Sequence, residues 1–538
     1  MMKTTAHWIK GVGTAALLTA LMACSSVTTA PEGTVVQQDL TGDESDLARP
    51  VSSRAQLGYF TPARAWPLVA VHMGLLPNGN VISWSTSDDT GDNIFDPPSS
   101  GEHDLTFVDV WNPRTNVHTR YDNQTGTELF CAGHTLIPDG KVLAAGGHDG
   151  LGPVDFYGRP DTNQFDPATN TWTRLPDMQY TRWYPTLTVL PNKEILSTGG
   201  VNNGAAADLP EIWNTTTGSW RTLTTASTSV FGGKFEHLYP WMHVNSEGLV
   251  FNSGPGVLMG KLNTSGTGSW TVIGQRDNHD RYHGSSVMYQ PDRLLVTGGV
   301  TNKTPDTSGN YDGSTNESLL VNAVTGAKTA AAPMLFKRSH HQATLLPNGD
   351  IFVNGGNSSG KQWDDSTPVL DSEIYRPSTN TWKRAARAAV SRNYHSTSLL
   401  LPDGRVLVAG GGIGAGEDHN HRDAEIYYPP YLFNLDGTLA ARPGISYAPS
   451  KLGYNQVFPM TMNSSAAVSR VTLIRFGFVT HSFNLDQRFQ DLKFAQGSYG
   501  QLSVLSPLNN KVAPPGHYML FALNSKGVPS AAKIINIQ

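Results

Sequence analysis

The sequence predicts an all-β protein in which a seven-bladed β-propeller is followed by a β-sandwich. The composition is rich in turn formers and poor in charge, with 54 Gly, 34 Pro and 15% charged residues in a chain of 538. Such a composition is typical of many short strands joined by turns. A strand–turn–strand pattern repeats along most of the chain, and a strand-rich tail without this repeat follows it. The length exceeds that of one ordinary core, so we expect at least two domains.

The repeat consists of a short strand, a turn of the Pro-Asp-Gly type, a second apolar strand and then Gly-Gly. Its seven copies, mostly 45 to 60 residues apart, begin at Val71, Cys131, Tyr184, Tyr239, His283, His340 and His395. Strand–turn–strand units that end in Trp lie between copies, as in Glu373–Trp382. Two hairpins per repeat make a four-stranded blade, so the copies predict a seven-bladed kelch-type propeller over residues 56–435. The ring should close near Ala424–Leu432 with a strand from the N-terminal side.

The C-terminal tail has a different pattern. After about Asp436 the repeat stops, and neither Gly-Gly nor Cys occurs again. Residues 436–538 alternate as short strands over roughly a hundred positions, which predicts one immunoglobulin-like (early-set) β-sandwich.

The N-terminus carries the pattern of an export signal. Lys3 and Lys10 lie in the positively charged n-region, and the apolar stretch that follows, Gly11–Ala23, is too short to span a bilayer. The residues up to Cys24 resemble a bacterial lipoprotein signal, residues 1–24, in which Cys24 becomes the acylated first residue; simple cleavage is the alternative. Residues 25–55 are polar and predict a disordered tether. We therefore expect an exported protein, anchored by a lipid to the bacterial outer membrane and facing the periplasm or the cell surface.

The cysteine count bears on the chemical state of Cys131. The chain has only two cysteines, Cys24 and Cys131. If Cys24 carries a lipid, Cys131 stands alone in an oxidising compartment, where free thiols are a liability. Cys131 is then either an inert buried thiol or a sulfur engaged in another covalent bond.

Metal-ligating residue types recur at a fixed distance before the turn proline of the repeat. Seven residues before the turn proline of their copies stand Cys131, Tyr184, His340 and His395. His283 stands eight residues before the proline of its copy. Equivalent positions in successive blades surround the propeller axis, so these side chains should meet at one mouth of the central channel. Tyr282 and Tyr394, each just before a register histidine, add two phenols. Imidazoles, phenolates and a sulfur with few carboxylates suit copper or iron better than Mg²⁺ or Ca²⁺, while zinc would leave the tyrosines and the cysteine unexplained.

Four segments carry a more specific signal. They are Phe130–Cys131, Arg182–Thr186, Arg392–Ser396 and Thr480–Arg488. On these segments the chain, from about Tyr59 to its C-terminus, resembles the galactose oxidase and glyoxal oxidase family of copper-radical oxidases, and the RWYPT form is closer to the glyoxal oxidase branch. The resemblance implies an enzyme that oxidises a primary alcohol or aldehyde hydrate with O₂ to an aldehyde or carboxylic acid plus H₂O₂.

Carried over position by position, the resemblance implies one copper ion with Tyr184, Tyr394, His395 and His481 as ligands. It implies a thioether between Cys131 and the ring of Tyr184, which together form a protein-derived radical cofactor. Tyr394 would be the axial ligand and general base. His481 belongs to the second domain, so a loop of the sandwich would have to enter the propeller channel.

The substrate pocket is less well defined. The galactose oxidase branch stacks a Trp on its modified tyrosine, at a position that is Asn202 here, so another aromatic residue, Trp183 or Trp241, is expected to cover the ring. Small-molecule alcohols, aldehydes and carbohydrates all remain candidate substrates. The residues expected to line the pocket are Arg281, His283 and His340.

Two other function classes remain open. A non-catalytic kelch surface lipoprotein that binds carbohydrate or protein at the channel mouth would bind no copper and keep a free Cys131 thiol. A metal-dependent hydrolase on the same propeller would use a non-redox metal and consume no O₂. The net charge of −5 and the pI near 6.4 give no reason to expect a nucleic-acid partner.

Overall fold

A computed structural model describes residues 51–86, 104–149, 157–301, 313–413 and 419–538. These ranges form β-strands almost throughout, which confirms the all-β prediction. The described helical elements are the α-helix Ser53–Leu57 and the 3₁₀ segments Thr228–Phe231, Pro430–Leu432 and Ser498–Gly500. Each of them is too short to cross a bilayer. The predicted signal with Cys24 lies outside the described residues, as does the tether up to residue 50.

The repeat region forms antiparallel sheets, each built from neighbouring strands of one copy. Sheet 1 runs in the order Phe483–Asn484, Phe478–Thr480, His72–Leu75, Val81–Trp84, Val108–Asn112, Val117–Arg120. Sheet 2 runs Gly133–Leu136, Val142–Ala145, Thr162–Asp166, Thr171–Leu175. Sheet 3 runs Trp183–Val189, Ile195–Asn202, Glu211–Asn214, Ser219–Thr222, with Ala205–Ala206 paired to its second strand. Sheet 4 runs Met242–Val244, Val250–Asn252, Leu258–Asn263, Ser269–Gln275.

Three further sheets complete this region. Sheet 5 runs Ser285–Gln290, Arg293–Thr297, Ser318–Asn322, Lys328–Ala330. Sheet 6 runs Gln342–Leu345, Ile351–Asn354, Asp371–Arg376, Thr381–Arg387. Sheet 7 runs Ser396–Leu400, Val406–Gly410, Asp423–Tyr428, Tyr59–Phe60, with Arg64–Ala65 paired to its third strand. The described residues of the repeat region thus hold seven sheets, while their closure into one seven-bladed ring stays a prediction.

The Gly-Gly pairs explain how neighbouring copies pack. The first glycine of a pair has a positive φ, 70° at Gly355 and 71° at Gly410, and its α-carbon lies against backbone of another copy. A Cβ at Gly355 would lie 2.5 Å from the Arg392 carbonyl oxygen of the following copy. A Cβ at Gly410 would lie 2.6 Å from the carbonyl oxygen of Ala70. Any side chain here would force the sheets apart, so the last copy meets the first through a glycine.

A strand from the N-terminal side joins the last copy, as the sequence predicts. Tyr59 and Phe60 pair in antiparallel register with Tyr428 and Tyr427. The Phe60 ring lies 6.3 Å from the Phe352 ring, centroid to centroid, which packs this added strand against sheet 6. The two ends of the repeat region are therefore held in one sheet.

The C-terminal part is a sandwich of two sheets, as predicted. One runs Ile445–Tyr447, Val457–Met462, Gln501–Leu505, Phe494–Gln496. The other runs Lys451–Leu452, Lys533–Ile537, Gly516–Asn524, Val468–Arg475, Phe489–Leu492. Alternate residues of the long strands, such as Val471, Leu473, Leu520 and Ala522, form its buried core.

A hairpin from the C-terminal part enters the propeller. Strand Phe478–Thr480 adds to sheet 1, with Thr480 opposite His72, and turns back at Phe483. The turn residues His481 and Ser482 have φ values of 47° and 68°, as in the tight turns usually made by Asn-Gly. The insertion predicted from the sequence is therefore the tip of a β-hairpin.

Polar residues just after the hairpin fix it to three different sheets. Asp486 accepts a 2.7 Å hydrogen bond from Thr135 in sheet 2. The Gln487 side-chain amide donates to the Ala343 carbonyl of sheet 6 at 2.7 Å, and Arg488 donates to the Val244 carbonyl of sheet 4 at 2.9 Å. The last two bonds satisfy backbone carbonyls of the propeller, and all three hold the inserted segment in place.

A buried arginine clamp recurs in three sheets, just before the register residue of each. Arg182, Arg338 and Arg392 each donate to the carbonyl of the first glycine of the pair, at 2.6, 2.8 and 3.1 Å. Each also pairs with a buried glutamate on the third strand, which is Glu211, Glu373 or Glu425 respectively. The other glutamate oxygen accepts a backbone N–H three residues before the arginine. The clamp thereby fixes the chain that leads into Tyr184, His340 and His395.

The clamp predicts a large stability loss when one partner is removed. Glu373→Ala leaves the fully buried Arg338 guanidinium without its carboxylate, which should lower the free energy of unfolding by about 3–5 kcal/mol. Asp491→Ala, which breaks the exposed pair with Arg470, should cost no more than about 1 kcal/mol. Urea unfolding followed by tryptophan fluorescence measures both, and equal losses in the two variants would contradict this role of the clamp.

Candidate metal centre

The five residues of the sequence register and Tyr239 share an unusual backbone conformation. Positive φ values occur at Cys131 (61°), Tyr184 (65°), Tyr239 (45°), His283 (53°), His340 (61°) and His395 (67°). This region costs a non-glycine residue about 1–2 kcal/mol, so the surroundings must hold it. The same conformation in six copies directs six side chains toward one place.

Backbone hydrogen bonds between neighbouring copies hold several of these residues. The Tyr184 N–H donates to the Cys131 carbonyl at 3.0 Å, and the Tyr239 N–H donates to the Tyr184 carbonyl at 2.8 Å. The His340 N–H donates to the His283 carbonyl at 2.7 Å. Tyr239 thus belongs to the register although sequence counting missed it, because its copy turns through Asn-Ser-Glu-Gly and lacks the proline from which the others are counted.

The structure brings together all five residues that the resemblance implies. The Tyr184 and Tyr394 hydroxyl oxygens are 2.5 Å apart, and His481 Nε2 lies 2.9 Å from the Tyr184 hydroxyl. Ligand atoms of Cys131, His395 and His481 all lie within 4.8 Å of one another. The Cys131 thiol contacts the Tyr184 side chain and lies 4.0 Å from His481 Nε2. All five side chains are buried.

The hydrogen bonds of the two histidines decide which nitrogen faces the centre. His395 Nδ1 donates to the carbonyls of Gly412 and Ile413 at 2.6 and 3.1 Å, so its Nε2 keeps the lone pair. The Thr480 hydroxyl donates to the Val71 carbonyl at 3.0 Å and so accepts from His481 Nδ1 at 2.5 Å. His481 Nε2 therefore also keeps its lone pair. Both imidazoles present an unprotonated Nε2, as metal ligands do.

Burial sets the charge of the centre. It lowers the pKa of His395 to about 4 and that of His481 well below its usual value, so both imidazoles are neutral near pH 7. It raises the pKa of the Tyr184 phenol and of the Cys131 thiol, which keeps both protonated in the absence of a cation. A bound cation would reverse that preference for a phenol and release its proton.

The donor set fits a copper ion. His395 Nε2 is buried and has no hydrogen-bond partner among the described residues, a cost that a metal bond would remove. Two neutral imidazoles, two phenols and a sulfur form the set, and imidazole with soft or anionic ligands suits copper more than the hard cations. The residues present therefore match the metal that the resemblance implies.

Two aromatic rings flank Tyr184. The Trp183 ring lies 3.7 Å from it, centroid to centroid, at an interplanar angle of 18°. The Tyr239 ring lies 4.7 Å away at 29°. Of the two tryptophans considered from the sequence, Trp183 is the one stacked on Tyr184. Asn202 accepts a 2.7 Å hydrogen bond from Thr181.

The three residues expected to line the substrate pocket differ in their placement. A cavity of about 440 Å³ opens onto Tyr184 and Tyr394, and His283 is part of its wall. The His340 ring stacks on His283 with centroids 4.2 Å apart and lies behind it. Arg281 does not reach the cavity, because its guanidinium is held by Asp277 at 2.9 Å and Glu317 at 2.7 Å.

Comparison with known proteins identifies the family. Residues 110–430 match the family described as "Glyoxal oxidase N-terminus", and residues 442–537 match the "Galactose oxidase-like, Early set domain" family. The chain belongs to the glyoxal oxidase and galactose oxidase family. The second match covers most of the tail that follows the repeat, so both parts of the chain are accounted for within one family.

Relatives within this family span most of the chain. A galactose oxidase of Gibberella zeae is 31% identical over 504 residues, which cover 89% of this chain and 71% of the relative. The aldehyde oxidase GLOX of Vitis pseudoreticulata is 28% identical over 457 residues, which cover 76% and 82% respectively. A fungal alcohol oxidase of the AA5 family, solved in complex with copper, superposes with a TM-score of 0.81 at 28% identity and covers 90% of this chain and 100% of that chain.

The orientation of His481 gives a prediction that separates metal binding from folding. Thr480→Val keeps the shape of the side chain but removes the hydroxyl that accepts from His481 Nδ1 and so orients the imidazole. Copper affinity should therefore fall by about 10- to 100-fold. Thr472→Val is the matched control, since it also removes a buried hydroxyl bonded to a backbone carbonyl, that of Pro347. Competitive copper titration with a chelator measures both. Equal affinities in the two variants would contradict this role of Thr480.

Proposed function

We propose that this chain is a copper-radical oxidase that uses O₂ to oxidise a primary alcohol or an aldehyde hydrate to the aldehyde or carboxylic acid, with H₂O₂ as second product. The observation that carries the proposal is the meeting of Tyr184, Tyr394, His395, His481 and Cys131 at one buried point beside a cavity. Family membership supports the same chemistry over the non-catalytic and hydrolytic alternatives.

The proposed ligands are Tyr184, Tyr394, His395 and His481. Bound copper would supply a one-electron couple that takes up one substrate electron and passes electrons to O₂. The second oxidising equivalent would reside on Tyr184 as a radical, joined through its ring to the sulfur of Cys131. The contact between the Cys131 thiol and the Tyr184 side chain supports this cross-link.

Each tyrosine would take one hydrogen from the substrate. Tyr394 would act as the general base and accept the hydroxyl proton, and Tyr184 would abstract the carbon-bound hydrogen atom. Both hydroxyls face the same point, 2.5 Å apart, so the two transfers can occur on one bound substrate. The Nε2 lone pairs of the two imidazoles would be taken up as metal ligands, so His395 and His481 would not compete with Tyr394 for the substrate proton.

The cavity wall would orient the substrate. His283 lies beside Tyr394, with ring centroids 5.4 Å apart, and is the pocket histidine of this proposal. His340 supports His283 from behind through their stacked rings. Small alcohols, aldehydes and carbohydrates all fit a cavity of about 440 Å³.

We further propose that the protein is exported and held at the bacterial outer membrane by a lipid on Cys24. Lys3 and Lys10 and the apolar stretch that ends at Ala23 support export, and Cys24 at the end of that stretch supports acylation. Labelling with a radioactive fatty acid, lost in Cys24→Ala, tests the anchor separately from the oxidase chemistry.

The cross-link gives the sharpest test of the proposed function. Copper-loaded protein exposed to air should lose the mass of two hydrogen atoms, because an S–H and a ring C–H are replaced by one C–S bond. Cys131→Ser and Tyr184→Phe should each abolish this loss, as measured by intact-mass spectrometry. In a peroxidase-coupled screen of small alcohols, aldehydes and sugars, both variants should fall to background.

Tyr282→Phe is the control, since Tyr282 is another buried phenol at the cavity but hydrogen-bonds Glu236 and is no proposed ligand. It should keep the mass loss. Unchanged mass in copper-loaded wild type, or a loss that persists in Cys131→Ser, would refute the proposed cofactor.

A further inference from the structure

The Tyr184 ring is enclosed on both faces. Trp183 stacks at a centroid distance of 3.7 Å, which is direct contact and leaves no room for another ring on that face. Tyr239, tilted by 29° at 4.7 Å, must therefore lie on the opposite face. Trp183 precedes Tyr184 in the same copy of the repeat, whereas Tyr239 is the register residue of the next copy, so different copies cover the two faces.

We infer that Tyr239 is a positioning residue that stabilises the oxidised state of Tyr184 through its ring. The inference rests on the proposed function, because it concerns the radical form of Tyr184. A ring that loses an electron becomes electron-poor, and the electron-rich face of a stacked phenol attracts it. Because both rings are buried, with Tyr184 5% and Tyr239 4% exposed, water screens this attraction only weakly.

The hydrogen bonds of Tyr239 keep the oxidation on Tyr184. The Tyr239 hydroxyl donates to the Ala132 carbonyl at 3.0 Å and also contacts the Thr480 hydroxyl, and neither group is basic enough to take its proton. The Tyr184 oxygen instead lies at the proposed metal site, where a bound cation would release its proton. Oxidation with loss of a proton is therefore possible at Tyr184 and disfavoured at Tyr239.

The backbone places Tyr239 for this contact. Its N–H donates to the Tyr184 carbonyl at 2.8 Å, and its own φ of 45° turns the side chain toward the centre. The ring also lies 4.8 Å from the His481 ring, centroid to centroid, and so has a defined position against two residues of the centre. The stack with Tyr184 therefore follows from the register and needs no rearrangement on oxidation.

The test compares three side chains at position 239 in copper-loaded, air-matured protein. At a fixed ratio of ferricyanide to ferrocyanide, the ratio of radical to non-radical protein is read from the radical absorption band. Tyr239→Leu removes the ring and should lower this ratio by about two- to twelvefold, the range for one aromatic stack. Tyr239→Phe keeps the ring and loses the bond to Ala132, and it should stay within about twofold of wild type.

Pentafluorophenylalanine at position 239 tests the electronic effect of the ring separately from the change in packing that Leu introduces. It has nearly the shape of Phe but an electron-poor face, so it should lower the radical ratio below that of Tyr239→Phe. Tyr282→Phe is the control for a buried phenol at the cavity that does not stack on Tyr184, and it should match wild type.

The outcomes separate this inference from the proposed function. Wild type without a cross-link or a radical would refute the proposed function itself. Wild type with both, and a Leu variant or a pentafluoro variant with unchanged radical ratio, would refute only the role of Tyr239. A Phe variant as impaired as Leu would assign the effect to the hydroxyl and overturn the stacking account.

Discussion

The backbone hydrogen bond from one register residue to the carbonyl of its neighbour is the interaction on which this centre depends. The bonds from Tyr184 to Cys131, from Tyr239 to Tyr184 and from His340 to His283 hold residues in a region of φ that they would otherwise avoid. A ring of copies can make such bonds because each copy repeats the same geometry. The positive φ is costly for each register residue alone, but it directs side chains from segments far apart in sequence toward one point.

Site and fold are coupled through the inserted hairpin. His481 reaches the centre only because Asp486, Gln487 and Arg488 fix the hairpin to three sheets of the propeller. The sandwich therefore supplies both a proposed ligand, His481, and the hydrogen bonds that hold it in place. Loss of this anchoring would remove an imidazole from the centre even if every propeller residue kept its place.

Much of the site was predictable from the sequence because repeat position maps onto direction in a propeller. The distance to the turn proline predicts that Cys131, Tyr184, His283, His340 and His395 surround one axis. In the structure all five share a positive φ, and Cys131, Tyr184 and His395 lie at the candidate centre. His481 required the family resemblance, since nothing in a sandwich sequence shows that one hairpin leaves its own domain.

Other features needed the structure for physical reasons. Counting back from the turn proline does not identify Tyr239, because the turn of its copy contains no proline. Arg281 was expected in the pocket, but its charge is met by Asp277 and Glu317, and sequence position alone does not tell which way a long side chain points. The arginine clamps were missed because Arg338 and Glu373 lie 35 residues apart in sequence.

The most direct measurement of the central claim is electron paramagnetic resonance of the copper-loaded, non-radical protein. We expect one Cu(II) per chain with superhyperfine coupling to two imidazole nitrogens. His395→Ala and His481→Ala should each reduce the coupling to one nitrogen. A spectrum without nitrogen coupling, or one that keeps both couplings in either variant, would contradict that claim.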